Sequence, residues 1–344
     1  MTQLIDLIQY AIKKNASDLH ITPGHSVHVR KLGKILAVTD IPIPNDPDII
    51  FNLLDHKQKE RFQTESELED CLYIPGLGRF RYSIFKQQNG LISAAFRLLS
   101  LNVPALQSLG FPQSAYKLCM LNQGLILFTG STNSGKTTTM AAFIDHINQN
   151  QNVHIITIED PIEYLFNNQK AVINQRQVGK HTESFQSALK AALHEDPDII
   201  VVGEIRDLET FSLALTAAET GHLVLGTVHT RNSMSTINRI VDTFPSEDQD
   251  QIKTMLAESL KAILSQILVP SIEENQLVAI YEYMVNNTSI ANAIRENKTY
   301  QIPTLIQLGQ KKFGMCSLKD SLKELKDKKL ISHETFDQYV SQLE

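Results

Sequence analysis

Gly130-Ser131-Thr132-Asn133-Ser134-Gly135-Lys136-Thr137 carries the plainest chemistry in this sequence of 344 residues. It matches G-x-x-x-x-G-K-[ST]. Such a loop turns consecutive backbone N–H groups toward one phosphate, and the next helix adds its positive N-terminus. Lys136 can reach the β and γ phosphates as a point charge, and the Thr137 hydroxyl can ligate Mg²⁺. The candidate nucleotide-binding set is Gly130, Ser131, Thr132, Asn133, Ser134, Gly135, Lys136, Thr137 and Thr138. Asn133 stands where a glycine is expected if the loop needs positive φ. Asparagine is among the side chains that tolerate that region best.

Three further segments could complete a phosphate site. Ile155 to Glu163 is an apolar run ending in Glu159, Asp160 and Glu163, which could help hold Mg²⁺ and activate water. Taken alone it reads equally as a charged surface turn. Asp198 to Glu204 is an apolar strand followed by an acid, so Glu204 is a candidate metal ligand, with Gly203 where an aspartate often stands. Gly221 to His229 brackets a strand with His222 and His229, which could sense a γ-phosphate or be ordinary satisfied polar residues.

The surrounding pattern supplies elements to position these groups. Leu125–Thr129 is an apolar run before the loop, and a helix is expected from Thr137 to about Asn150. Val153–Ile158, Ile199–Val202 and Leu223–Val228 read as strands, and Thr182–His194 and Asp207–Thr220 as helices. Asp207 is placed as an N-cap and Gly221 as a C-cap. The alternation predicts an α/β unit with a mainly parallel sheet covered on both faces. Ser246 and Gln249 suggest a capping box for a helix ending before Pro270. Val278–Met284 suggests one more strand. From Ser317 onward, Leu318, Leu322 and Leu325 predict two or more amphipathic helices packed on the sheet.

The first hundred residues read as a small α+β domain. Leu4, Leu7, Ile8, Ala11 and Ile12 have helical spacing, and Val27–Val29 and Arg79–Phe85 alternate like strands. Pro42, Pro44 and Pro47 mark a loop. The stretch Leu99–Gln113, with Pro104, Gly110 and Pro112, is the candidate linker.

Composition narrows the class. Hydrophobic residues are 42% and charged residues 20%, as in a folded, water-soluble protein. The formal net charge of −6 shows no broad footprint for DNA or RNA, so no nucleic-acid partner is expected. The isolated Cys71, Cys119 and Cys316 form no Cys-x-x-Cys pair, which argues against a zinc ribbon. The start lacks a basic-then-apolar pattern, and no run of eighteen apolar residues occurs. A cytoplasmic location is the expectation.

Together, the Walker A loop, the "Asp box" Ile158–Glu163, the atypical Walker B Asp198–Glu204 and the "His box" Gly221–His229 resemble those of the secretion ATPases of type II secretion and type IV pilus machines. The likeness extends to Ala16-Ser17-Asp18-Leu19-His20-Ile21 and to Ala293-Ile294-Arg295-Glu296. The latter is similar to a segment tied to pilus retraction. Extension and type II ATPases usually carry an extra N-terminal domain and a four-cysteine metal site, which this sequence lacks. That favours the retraction branch, and the segments Glu204–Thr210 and Thr216–Thr220 resemble it more than the accessory retraction branch.

The resemblance implies a PAS-like N-terminal domain (1–100), a linker (101–117), a RecA-like ATPase domain (118–285) and a C-terminal helical region (286–344). It implies a homo-hexamer using ATP and Mg²⁺, with nucleotide between the two domains. Glu163 is then the general base, and Glu204 holds Mg²⁺ or its water. Lys136 and His229 join the catalytic set, with Arg81 and Arg97 reaching the phosphates. His222 joins the nucleotide set. The implied partners are an inner-membrane pilus platform protein (PilC-like) and a PilU-like paralogue. The implied place is the cytoplasmic side of the inner membrane at the pilus base. The alternatives are an accessory retraction ATPase, a nucleic-acid translocase, and an adaptor that binds ATP without hydrolysing it.

Overall fold

The computed structural model describes residues 2–31, 34–46, 48–100, 102–273 and 276–343. Pro47 and Leu101, named above for the loop and the linker, lie outside them. The chain forms two compact units, Met1–Asn102 with Pro161–Leu165, and Val103–Asp160 with Phe166–Glu344.

The first unit contains α1 (Thr2–Lys13), β1 (Asp18–Ile21), β2 (His28–Lys31), β3 (Lys34–Ala37), α2 (His56–Glu65), β4 (Glu67–Ile74), β5 (Gly78–Lys86) and β6 (Ile92–Leu99). The six strands pair antiparallel in the order β3-β2-β1-β6-β5-β4. The period-two pattern of β5 explains its two faces. Phe80, Tyr82 and Ile84 enter a core with Leu4, Leu7 and Ile8 of α1 and Phe62 of α2. Arg79 and Arg81 therefore lie on the opposite face. Arg81 pairs directly with Arg97 of β6, and Arg97 with Asp18 of β1.

The second unit is built on seven strands. They are β7 (Gly124–Thr129), β8 (His154–Glu159), β9 (Val172–Gln177), β10 (Ile199–Val202), β11 (Leu223–Val228), β12 (Leu260–Pro270) and β13 (Leu277–Val285). Their order is β13-β12-β7-β11-β10-β8-β9. All neighbours are parallel except β12 and β13. Between and after the strands lie α3 (Lys136–Asn150), α4 (Phe185–Ala192), α5 (Leu208–Glu219), α6 (Ser233–Asp242), α7 (Gln249–Ser259), α8 (Thr288–Arg295), α9 (Ile302–Phe313), α10 (Leu318–Asp327) and α11 (His333–Leu343).

The central strands are apolar throughout because both faces are covered. Leu125 and Leu127 of β7 pack in one core with Ala188 of α4, Phe211 of α5 and Leu256 of α7. Ile126 and Phe128 pack in the other with Phe143 and Ile147 of α3. Leu106, Phe111 and Ala115 join that second core, so this part of the stretch read as a linker is packed. Asp207 caps α5 by accepting from the Thr210 N–H, and Gly221 beyond its end has a φ of 107°. Leu318 and Leu322 of α10 pack on Val269 and Ile280 of the sheet.

The helix expected to run toward Pro270 ends at Ser259, and residues 260–270 form β12. Leu260, Ala262, Ile263 and Leu264 are buried in the interior of the sheet. A near-continuous apolar run of this kind has no period that separates strand from helix. Ser246 and Gln249 do not form a capping box. Asp248 is the N-cap of α7 and makes no side-chain cap bond, and Gln249 Nε2 donates to the Phe244 carbonyl at 3.1 Å.

Candidate nucleotide-binding site

The phosphate loop leaves the C-terminal end of β7 and enters α3. Its bends come from Gly130 at φ 147°, Asn133 at φ 64° and Gly135 at φ 87°. Asn133 thus adopts the left-handed conformation that its residue type tolerates. The two glycines are also required by space. A Cβ on Gly130 would run into the Gln266 carbonyl and lie 2.5 Å from Ser134 Oγ, and one on Gly135 would lie 2.7 Å from Gln266 Nε2. Gln266 of β12 is itself fixed by Thr139 Oγ1, which donates to its Oε1 at 2.8 Å. β12 therefore forms the floor of the loop.

Lys136 is buried, and its Nζ donates to the carbonyls of Gly130 and Ser131, both at 2.8 Å. Burial lowers its pKa, and the nearby Glu204 charge opposes that. Its Nζ lies 3.4 Å from His229 Nδ1, and His229 Nε2 lies 2.9 Å from Glu204 Oε1. The register explains the meeting. β11 runs beside β7 with Val228 opposite Thr129, so His229 follows next to Gly130. Glu204 follows β10, the neighbour of β11 on its other side. Arg206 grips the same carboxylate, Nε to Oε1 at 2.5 Å and Nη2 to Oε2 at 2.6 Å.

The glycine in the Walker B segment has a packing reason. The Gly203 N–H donates to the Ile158 carbonyl at 2.8 Å, and a Cβ there would lie 3.0 Å from that oxygen and 3.3 Å from Glu159 Cα. Gly203→Asp is expected to destabilise the protein by about 1–3 kcal/mol, because the obstacle is backbone and cannot rotate away. Thermal unfolding measures this. An unchanged melting temperature would show that the end of β8 yields.

Glu159 and Glu163 fall in different surroundings. Glu159 accepts from Thr157 Oγ1 at 2.6 Å and Gln175 Nε2 at 3.1 Å, within the second unit. Pro161–Leu165 groups with the first unit. There Arg79 donates to the carbonyls of Ile162 and Glu163, each at 2.9 Å. Arg81 Nη1 bonds Glu163 Oε1 at 2.9 Å, and its Nε bonds Glu69 at 2.7 Å. Burial pushes the Cys71 thiol up to about 11, and it donates to the Ile162 carbonyl at 3.4 Å. Arg97 is bonded at 2.8 Å to Asp18. Two arginines directly opposite on neighbouring strands repel, and each is offset by its own carboxylate.

The expected residues thus form two clusters. Lys136, Thr137, Glu204 and His229 belong to the second unit, and Arg81 and Glu163 meet in the first. His222 is not brought to the loop. It precedes β11 beside Gly124, a strand length of roughly 20 Å from His229, and its Nδ1 lies 3.1 Å from the Ala217 carbonyl. It lies at the end of α5. Gln266, Arg206 and Arg79 are the site residues that the sequence reading passed over. The aliphatic run before Pro270 is the signal that could have exposed Gln266 as a strand residue.

The second-unit cluster fits an anionic phosphate. Ser134 Oγ is buried in the loop with no hydrogen-bond partner among the described residues, and Lys136 of the same loop supplies a cation. No group of three or more metal-ligating acid, His or Cys side chains occurs among the described residues. A divalent ion here would therefore need phosphate oxygens or water beside Thr137 and Glu204, which is how Mg²⁺ is usually held.

Residues 79–313 match the family model described as "Type II/IV secretion system protein". The chain is 41% identical over 333 residues to the type IV pilus retraction ATPase PilT of Pseudomonas aeruginosa, with 96% of each chain covered. It is 34% identical over 330 residues to the type IV pilus ATPase PilU of the same organism, covering 95% of this chain and 86% of that one. A crystal structure described as the pilus retraction motor PilT with bound ADP is similar with a TM-score of 0.86 and 43% identity, covering 96% of this chain and 95% of the other.

Proposed function

Because the chain belongs to the type II/IV secretion system protein family, we propose that it is an ATPase motor that drives type IV pilus retraction. The observation that carries the enzymatic reading is the line Lys136–His229–Glu204 at the mouth of the phosphate loop. Identity to PilT over 96% of both chains supports retraction as the task, above the 34% to PilU.

The residues divide the work as phosphoryl-transfer sites do, by positioning and charge. Backbone N–H groups of Gly130–Thr137 and the Lys136 ammonium hold the β and γ phosphates. Thr137 and Glu204 would hold Mg²⁺, which neutralises charge on the phosphates when bound. Lys136 already lies within reach of His229, so His229 is placed to contact the γ-phosphate. Glu163 accepts the proton of the attacking water, and Arg81, which bonds it, supplies a permanent forked cation. Arg97 is a further cation for the phosphates once released from Asp18.

In this reading the motor is a homo-hexamer. It acts on an inner-membrane pilus platform protein (PilC-like), with a PilU-like paralogue as accessory, at the cytoplasmic face of the pilus base. No helix among the described residues is long and apolar enough to cross a membrane, which suits peripheral attachment.

The test is steady-state hydrolysis by the purified protein, with pilus retraction followed in cells lacking it. Mg²⁺-dependent turnover and loss of retraction are expected. ATP binding without turnover would instead select the adaptor reading. Turnover that rises with DNA and falls steeply with salt would select a translocase.

A further inference from the structure

Glu282 of β13 lies outside every motif considered so far. It stands directly opposite Ser265 of β12 and is partly buried. Its Oε1 accepts two bonds from Ser233, one from the backbone N–H and one from the hydroxyl, both at 2.6 Å. Ser265, its direct cross-strand partner, is the polar neighbour on its other side and favours the charged carboxylate. The Ser265 hydroxyl in turn accepts from Thr129 Oγ1 at 2.8 Å. Ser233, Ser265 and Thr129 are all fully buried.

The two ends of this line sit at the roots of the nucleotide loops. Thr129 is the last residue of β7, immediately before Gly130. Ser233 is the first residue of α6, and only Thr230–Asn232 separate it from His229. We infer that Glu282 is a positioning residue that ties the His229 loop to the root of the phosphate loop. It thereby holds His229 at the distance from Lys136 that hydrolysis requires. The inference rests on the ATPase reading above and adds a residue to it.

Other anchors do not duplicate the connection. Among the described residues, Thr230 and Asn232 bond within their own turn and α6, to Thr236 and Ser235. The N-cap of α6 is therefore satisfied locally, and a carboxylate on its first N–H serves a different purpose. Desolvation pushes the Glu282 carboxyl above the usual range, against the opposing effect of Ser233 and Ser265. A neutral amide of the same shape is thus a fair replacement for the acceptor that Ser233 needs.

The experiment is a double-mutant cycle on the full chain, reading kcat, ADP affinity by calorimetry and the NMR chemical shifts of the His229 ring, which report its position. Glu282→Ala is expected to lower kcat about ten- to hundredfold, the scale of a misplaced group. ADP affinity should stay within about twofold, and the His229 ring signals should move. Glu282→Gln should recover most of the lost rate. In a His229→Ala background, Glu282→Ala should cost little more, because the two changes act through one side chain. If Glu282→Ala does not fold, Ser233→Ala takes its place. It should show a smaller loss that also vanishes without His229. An equal loss of rate with and without His229, or unmoved His229 ring signals, overturns the inference. A wild-type protein that binds ATP without hydrolysing it overturns the ATPase reading, and this inference with it.

Discussion

Lys136→Ala is expected to lower ATP turnover by about a thousandfold and to weaken nucleotide binding, while leaving the protein folded. The ammonium is the only Lys or Arg charge seated within the phosphate loop itself, and it is buried. In a site of low polarity, one preorganised donor to developing charge accounts for about 10²–10³ in rate, and Lys136 is placed to serve two phosphates. The fold should survive because the ammonium holds only the carbonyls of Gly130 and Ser131 and belongs to neither apolar core of the unit. Desolvation already works against the charged form, so its removal relieves a penalty as well as breaking bonds. Steady-state turnover, ADP affinity and thermal unfolding together check this. Hydrolysis by the purified variant at the wild-type rate would remove the basis for the ATPase assignment.

Glu163→Gln should separate chemistry from binding. The amide oxygen can still accept from Arg81, so the cluster with Arg79 and Glu69 keeps its geometry. What disappears is the ability to take a proton from water. Loss of a general base lowers kcat by about 10²–10⁴. Nucleotide affinity should be unchanged within about twofold, unlike the Lys136 variant. Turnover within twofold of the wild type would assign the proton to another group, and Glu163 would then serve only to hold Arg81.

The sequence showed the phosphate loop more fully than any other part of the site. Its chemistry is local, because four residues between two glycines, then Lys136 and Thr137, must bend and dock one anion. Even the left-handed Asn133 was legible from its residue type. What escaped was information held by neighbours distant along the chain. Gln266 supports the loop from β12, a strand whose mostly apolar run looked helical. β9, with Asn174, Gln175 and Arg176 in its middle, has too polar a run to announce a strand, yet it closes the sheet beside β8. His222 and His229 look equivalent on the page, but a strand of six residues places them at opposite ends of the sheet. Arg79 read as one more alternating strand residue, and only the return of Pro161–Leu165 to the first unit gives it two carbonyls to hold.

That return bears on any attempt to build chimeras. The backbone passes between the two units three times, after Asn102, Asp160 and Leu165. A graft that takes residues 1–102 from a relative would import Arg79, Arg81 and Glu69 but leave behind Ile162 and Glu163, the groups they hold. The host's five-residue strap would then meet a foreign set of arginines. Functional hybrids should therefore need two splices, with residues 161–165 travelling alongside the N-terminal unit.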